Sequence, residues 1–246
     1  MLEALLLLGA GVLAGLTGSI AGLASLVSYP ALLATGLSPV AANVTNTVAL
    51  VFNGIGATAG SRLELRGQGH RIRRFALLAG MGGACGGALL LAAPGDTFAR
   101  VVPVLVGGAS LMVLLPPRPS TFDAAESHRA RTGVVVFAIG VYGGYFGAAA
   151  GVLLLALLLA LFNETLARIN ALKNVVMVAP NAVAALAFAV FGPVHWAAVL
   201  PLAVGFFIGG RISPAIVRRL PMRPLRIGIG LAGLGLAAKL AWDAWA

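Results

Sequence analysis

Charged side chains make up only 10% of the 246 residues, and just seven of these residues are acidic. A soluble domain of this length needs a far more charged surface, so the scarcity excludes that class. Cysteine occurs once, at Cys85, which excludes an internal disulfide, and no cysteine–histidine spacing suits a metal. The N-terminal run "MLEALLLLGAGVLAGLTG" contains Glu3 and no basic residue, so it does not read as a cleaved signal peptide.

What remains is apolar. Hydrophobic residues reach 60% and mean hydropathy is +1.00, the composition of a polytopic membrane protein. The 33 glycines suit helices that pack closely or break in lipid. The formal charge is +10, but ten of the seventeen basic residues fall in two short loops, 61–74 and 211–226. Loops of that kind face lipid headgroups, so nucleic acid is not expected as a partner and the lipid bilayer is.

The chain resembles itself. Gly11, Gly15, Gly18 and Gly22 recur 129 residues later as Gly140, Gly144, Gly147 and Gly151. Asn46 and Asn53 recur after 128 residues as Asn174 and Asn181. At an offset of 125, Gly67 and His70 match Gly192 and His195, Gly80 matches Gly205, and Cys85 matches Gly210, which makes Cys85 a small packing residue. The expected units are 1–116 and 132–246, joined by a polar cytoplasmic linker at 117–131.

Five arginines in 61–74 place that loop in the cytoplasm, whereas its repeat partner 191–196 has no Lys or Arg and belongs outside. Partner loops on opposite sides mean inverted repeats, with a site at their interface. The number of crossings then requires 133–162 to be broken. As a straight helix it would span about 45 Å, against a hydrocarbon core of about 30 Å. The expected fold is all-α, with two inverted repeats, each holding a broken or re-entrant glycine-rich segment and about three transmembrane helices.

Polar residues at membrane depth mark the candidate site. Asn46 and Asn53 share one helical face, as do Asn174 and Asn181, with Thr45 and Lys173 adjoining. Interhelical hydrogen bonds are the plainer reading of each asparagine taken alone, and a snorkelling side chain is the plainer reading of Lys173. The acidic residues after Leu5 all fall in expected loops, the linker or near the C-terminus, so no carboxylate is available to hold a cation. The expected ligand is therefore a small anion between Thr45–Asn46 and Lys173–Asn174. Backbone N–H groups at half-helix N-termini near Gly18–Ser19 and Gly147–Ala148 would assist. An ammonium at Lys173 makes protons the candidate coupling ion. "GSIAG" around Ser19 has no base placed to activate a nucleophile, so an enzyme is not expected, nor is a cofactor.

The stretches "SPVAANVTNTVALVFNGIGATAGSRLEL", "GVYGGYFGAAAGVLLLALL" and "NALKNVVMVAPNAVAALAFAVFGPVHWAAVLPLAVGFFIGG" resemble the sulfite exporter TauE/SafE family of membrane transporters. The resemblance implies a secondary carrier for sulfur oxyanions or organosulfonates in the bacterial inner membrane. The first half departs from the family pattern, with "GSIAGLASLVSYP" where a glycine triplet and a proline-bearing helix often stand. A passive anion channel and a non-transporting membrane subunit or assembly factor stay open as alternatives. So does a homo-oligomer.

Overall fold

A computed structural model describes residues 2–93, 95–114, 128–217 and 222–245, and among these there are ten helices and no strand. They are α1 (Leu2–Ala21), α2 (Ala24–Ala34), α3 (Pro39–Gly60), α4 (Gly69–Ala92) and α5 (Gly95–Leu114), then α6 (His128–Tyr145), α7 (Ala150–Leu161), α8 (Leu166–Phe191), α9 (Trp196–Val217) and α10 (Met222–Trp245). Within them, Leu2–Ala21, Pro39–Gly60, Gly69–Ala92, Leu166–Phe191 and Trp196–Ile216 are long and apolar enough to cross a membrane. The expected linker, 117–131, lies largely outside the described residues.

Local chemistry starts the helices where the sequence has capping residues. Ser38 accepts the Ala41 N–H at 3.4 Å ahead of Pro39, and Thr165 accepts the Arg168 N–H at 3.5 Å. Both are N-cap side chains satisfying an otherwise unpaired donor.

Glycine faces decide the packing. A Cβ on Gly11 would lie 2.6 Å from the Leu202 carbonyl oxygen, and one on Gly15 would lie 2.8 Å from that of Phe206, so α1 sits backbone to backbone on α9. Gly140 and Gly144 meet the Ala79 and Gly83 carbonyls in the same way, which seats α6 on α4. In return Gly205 and Gly209 face Leu8 and Val12, while Gly82 and Gly86 face Phe137 and Val141. The equivalent positions of α4 and α9 are therefore 123 residues apart. The offset of 125, which matched Gly80 to Gly205 and Cys85 to Gly210, is corrected by two residues. That offset was set by the loops ahead of α4 and α9, which differ in length. Cys85 is exposed, so it is not a packing residue.

Two helices break. α1 continues through Ala21, and the chain then turns at Gly22 with φ +77. The break expected near Gly18–Ser19 thus falls later, at Gly22, because Gly15 and Gly18 continue the helix and serve close packing. α6 ends at Tyr145, and Gly147 (φ +73) and Ala149 (φ 59) carry the chain into α7. The two breaks touch, since a Cβ on Gly151 would lie 2.7 Å from the Gly22 Cα.

The end of α7 returns to the start of α4. Glu164, just past α7, takes Arg71 Nη1 at 2.9 Å and Arg168 Nε at 2.6 Å, and the Arg71 guanidinium lies 4.1 Å over the Phe162 ring. Hydrogen bonds from Arg71 and Arg168 hold the Glu164 carboxyl below the usual carboxylate range.

Candidate functional site

A cavity of about 50 Å³ lies where the two breaks meet α3 and α8. That is several times the minimum space one water needs. Its wall draws on both halves of the chain, with Gly18, Gly22, Ser25 and Asn53 from the first and Gly147, Gly151, Lys173, Asn174 and Asn181 from the second.

Lys173 sits in the eighth position of α8, yet its ammonium is inside the protein, with the residue 1% exposed. Snorkelling does not describe it. Nζ donates to the carbonyl oxygens of Gly18 and Ser19, each at 3.1 Å. Asn170 and Asn174 donate to the same Ser19 oxygen at 2.8 and 3.1 Å. These carbonyls close the C-terminal end of α1, where the helix dipole is negative and a cation fits. The expectation that Gly18–Ser19 supplies N–H donors is therefore corrected. The break follows α1, so what points at α8 there is carbonyl oxygen. On the other side of the turn is the start of α2, whose Ala24 and Ser25 line the cavity and whose N-cap, Leu23, makes no side-chain bond.

An ammonium has three donors, and two of Lys173's are used by α1. Among the described residues, no acidic side chain lines the cavity. Asn181 is 6% exposed, faces the cavity and makes no hydrogen bond among the described residues. Such a side chain stays inside at a cost unless something polar meets it.

Of the ten residues expected at the site, Gly18, Asn53, Gly147, Lys173, Asn174 and Asn181 meet at this cavity. The other four lie behind its wall or away from it. Ser19 donates its hydroxyl to Asn53 Oδ1 at 2.9 Å. Asn46 reaches Ser25 and Ser28 rather than the open space. Thr45 accepts the His195 N–H at 3.0 Å, and the Ala148 carbonyl accepts the Tyr142 hydroxyl at 2.6 Å. The open space lies among Asn53, Lys173, Asn174 and Asn181, whereas Thr45 and Asn46 do not line it. One helical turn separates Asn46 and Asn53 twice over, and only the second reaches the breaks.

Sequence reasoning missed Ser25, Gly151 and Asn170. The repeat pointed to Gly151, and the i, i+4 spacing of Asn170 and Asn174 puts both on the face that carries Lys173. Ser25 had no such signal, because nothing in the sequence tells that the break ends one residue before Ala24.

The family described as sulfite exporter TauE/SafE matches residues 7–240. The chain is 29% identical over 234 residues to the probable membrane transporter protein YfcA of Escherichia coli K12, covering 94% of this chain and 87% of that one. It is 25% identical over 242 residues to the probable membrane transporter protein ORF9 of a Sinorhizobium species, covering 95% and 90%. A probable membrane transporter protein of Haemophilus influenzae is 24% identical over 242 residues, covering 95% and 92%. No solved structure matches the chain.

Proposed function

Since the chain belongs to the sulfite exporter TauE/SafE family and is a multi-pass bacterial membrane transporter, we propose that it is a secondary carrier of a small anion. The expected cargo is a sulfur oxyanion or organosulfonate, moved by alternating access. The observation that carries this reading is Lys173, a buried lysine whose Nζ donates to two backbone carbonyls, with no carboxylate among the described residues lining the cavity beside it. In such a place a cation site would need acidic oxygens, whereas an anion finds an ammonium and amide N–H groups.

Two inverted repeats would explain why α1 packs on α9 through contacts equivalent to those of α6 on α4. They would also explain why Gly22 meets Gly151, its counterpart at the same offset as the other repeated glycines. Under that symmetry α1–α2 and α6–α7 enter the bilayer as hairpins from opposite faces, and α7 returns to the arginine-rich side through Glu164 and Arg71. The cavity then sits at the repeat interface, where rocking one repeat against the other exposes it to each side in turn. A proton is the coupling ion this site offers, carried on Lys173.

Reconstituted protein tests the reading. Vesicles loaded with sulfite are expected to show saturable counterflow of labelled sulfite. Lys173→Met is expected to weaken its apparent affinity about tenfold or more, the loss of one charge-assisted hydrogen bond. Unitary currents without saturable counterflow would replace the carrier with a channel. Unchanged affinity in Lys173→Met would remove the lysine from the site.

A further inference from the structure

We propose that the Ser25 hydroxyl is a hydrogen-bond donor to the transported anion and that Asn46 is the residue that positions it. This rests on the anion-site reading above. Ser25 is 4% exposed, stands in the first turn of α2 and lines the cavity.

The direction of its hydroxyl follows from what surrounds it. Asn46 Nδ2 donates to Ser25 Oγ at 3.1 Å, and Asn46 Oδ1 accepts the Ser28 hydroxyl at 2.6 Å. An amide nitrogen can only donate and an amide oxygen can only accept. Ser25 Oγ is therefore an acceptor towards Asn46, and its own proton is left to be given elsewhere. A serine within a helix can give that proton to the carbonyl four residues back; Ser28 has such a carbonyl, Ala24, at 3.0 Å, but places its one proton on the nearer Asn46 Oδ1. For Ser25 that carbonyl belongs to Ala21, the last residue of α1, on the far side of the break. No hydrogen bond donated by Ser25 exists among the described residues. The break thus removes the helical acceptor of a hydroxyl on the cavity wall, and Asn46 occupies its lone pair.

A second pair on the same wall is polarised alike. Ser19 gives its proton to Asn53 Oδ1 at 2.9 Å, so the Asn53 amide keeps its N–H group for the cavity, which Asn53 lines. The N-terminal end of α2 adds its positive dipole end at Ser25. Hydroxyl, amide and ammonium all present hydrogen to the same space. The ligand group that meets Ser25 is then a bare anionic oxygen rather than an O–H or N–H group, which favours an oxyanion carrying several acceptor oxygens.

The test measures binding to purified full-length protein by calorimetry, with sulfite, thiosulfate and methanesulfonate each used as probe. The variants are measured with the probe that binds the wild type most tightly. Ser25→Ala is expected to bind about tenfold more weakly, and Ser25→Thr, which restores a hydroxyl, to stay within about threefold of the wild type. Asn46→Ala is expected to weaken binding in the wild type and to add nothing in the Ser25→Ala background, the signature of a residue acting through another. Ser25→Cys keeps the volume with a poor donor, so it reports the same loss should the alanine variant fail to fold. Wild-type affinity in both Ser25→Ala and Ser25→Cys would overturn the role of Ser25. Equal losses from Asn46→Ala with and without Ser25 would overturn its role as positioning residue. If no probe binds the wild type while the protein is folded, the anion-site reading itself falls, and this proposal with it.

Discussion

The first break, at Gly22, and the second, at 146–149, make the same turn with different means. The first is short and held by polar side chains of α8, with Lys173, Asn170 and Asn174 donating to the carbonyls that end α1. The second is longer and held by neutral groups. Phe146 is 2% exposed and packs edge-on to Tyr29 at 5.4 Å and against Phe98 at 6.0 Å. Asn43 donates to the Tyr145 carbonyl at 2.9 Å, and the Tyr142 hydroxyl closes on Ala148. In each case an asparagine from the other half caps the broken helix, so neither half completes its own break. The difference places the site's only lysine on one side of the cavity, and its position there is set by the α1 end it caps.

The contrast can be broken most severely at the point of contact. Gly22 needs a left-handed backbone, and a methyl there would run into the Gly151 backbone. Strain of about 1–2 kcal/mol from the backbone adds to about 1–3 kcal/mol from overpacking. Gly22→Ala is therefore expected to lose folded yield in detergent, read by size-exclusion profile; a monodisperse variant with wild-type Tm would contradict the contact. Next in size is Phe146→Ala, expected to cost about 3 kcal/mol or more through the cavity it leaves, with a large fall in Tm. Lys173→Met should cost less, about 1 kcal/mol for each hydrogen bond lost, because the Gly18 carbonyl keeps the Gly22 N–H and the Ser19 carbonyl keeps Asn170 and Asn174. A larger Tm loss in Lys173→Met than in Phe146→Ala would mean that polar contacts, not aromatic packing, carry the greater share of the two breaks' stability.

Much of this arrangement was legible in the sequence, and the misses have physical causes. The repeated glycine spacing was legible but was read as helix breaks, whereas Gly11, Gly15, Gly140 and Gly144 seat α1 and α6 against their neighbours, because only a missing side chain allows such approach. The asparagines at 53, 174 and 181 were legible because amides are costly in an apolar helix. The register of α4 against α9 was misread by two residues, since loop identities were carried into helices that begin at different distances from them. The polarity of the first break was also misread. A cluster of glycines tells that a helix can end, but not on which side of the cluster it does. With α1 extending to Ala21, carbonyls rather than N–H groups face Lys173, and Ser25 becomes the first hydroxyl beyond the turn.

The smallest expected effect sharpens the comparison within the second break. Ala149 holds a left-handed conformation (φ 59, ψ 11) at the start of α7, where a glycine would be at ease. The neighbouring bonds over-determine it, with Ala150 N–H on the Gly147 carbonyl at 3.1 Å and the Val152 N–H on its own carbonyl at 2.9 Å. Ala149→Gly relieves strain of about 1–2 kcal/mol. Against this it gives the unfolded chain more freedom, worth about 0.4–1 kcal/mol, and removes a buried methyl worth about 0.8 kcal/mol. The terms nearly cancel, so Tm is expected to stay within about 3 °C of the wild type. Gly147→Ala is the asymmetric partner. Its Cβ would lie 2.8 Å from the Gly143 carbonyl oxygen at φ +73, and the stiffer unfolded chain, worth about 0.4–1 kcal/mol, does not offset left-handed strain of about 1–2 kcal/mol together with that contact. It should therefore lower Tm clearly while Ala149→Gly does not. Equal losses in the two variants would mean that the Ala149 methyl, and not the conformation of the turn, holds the second break in place.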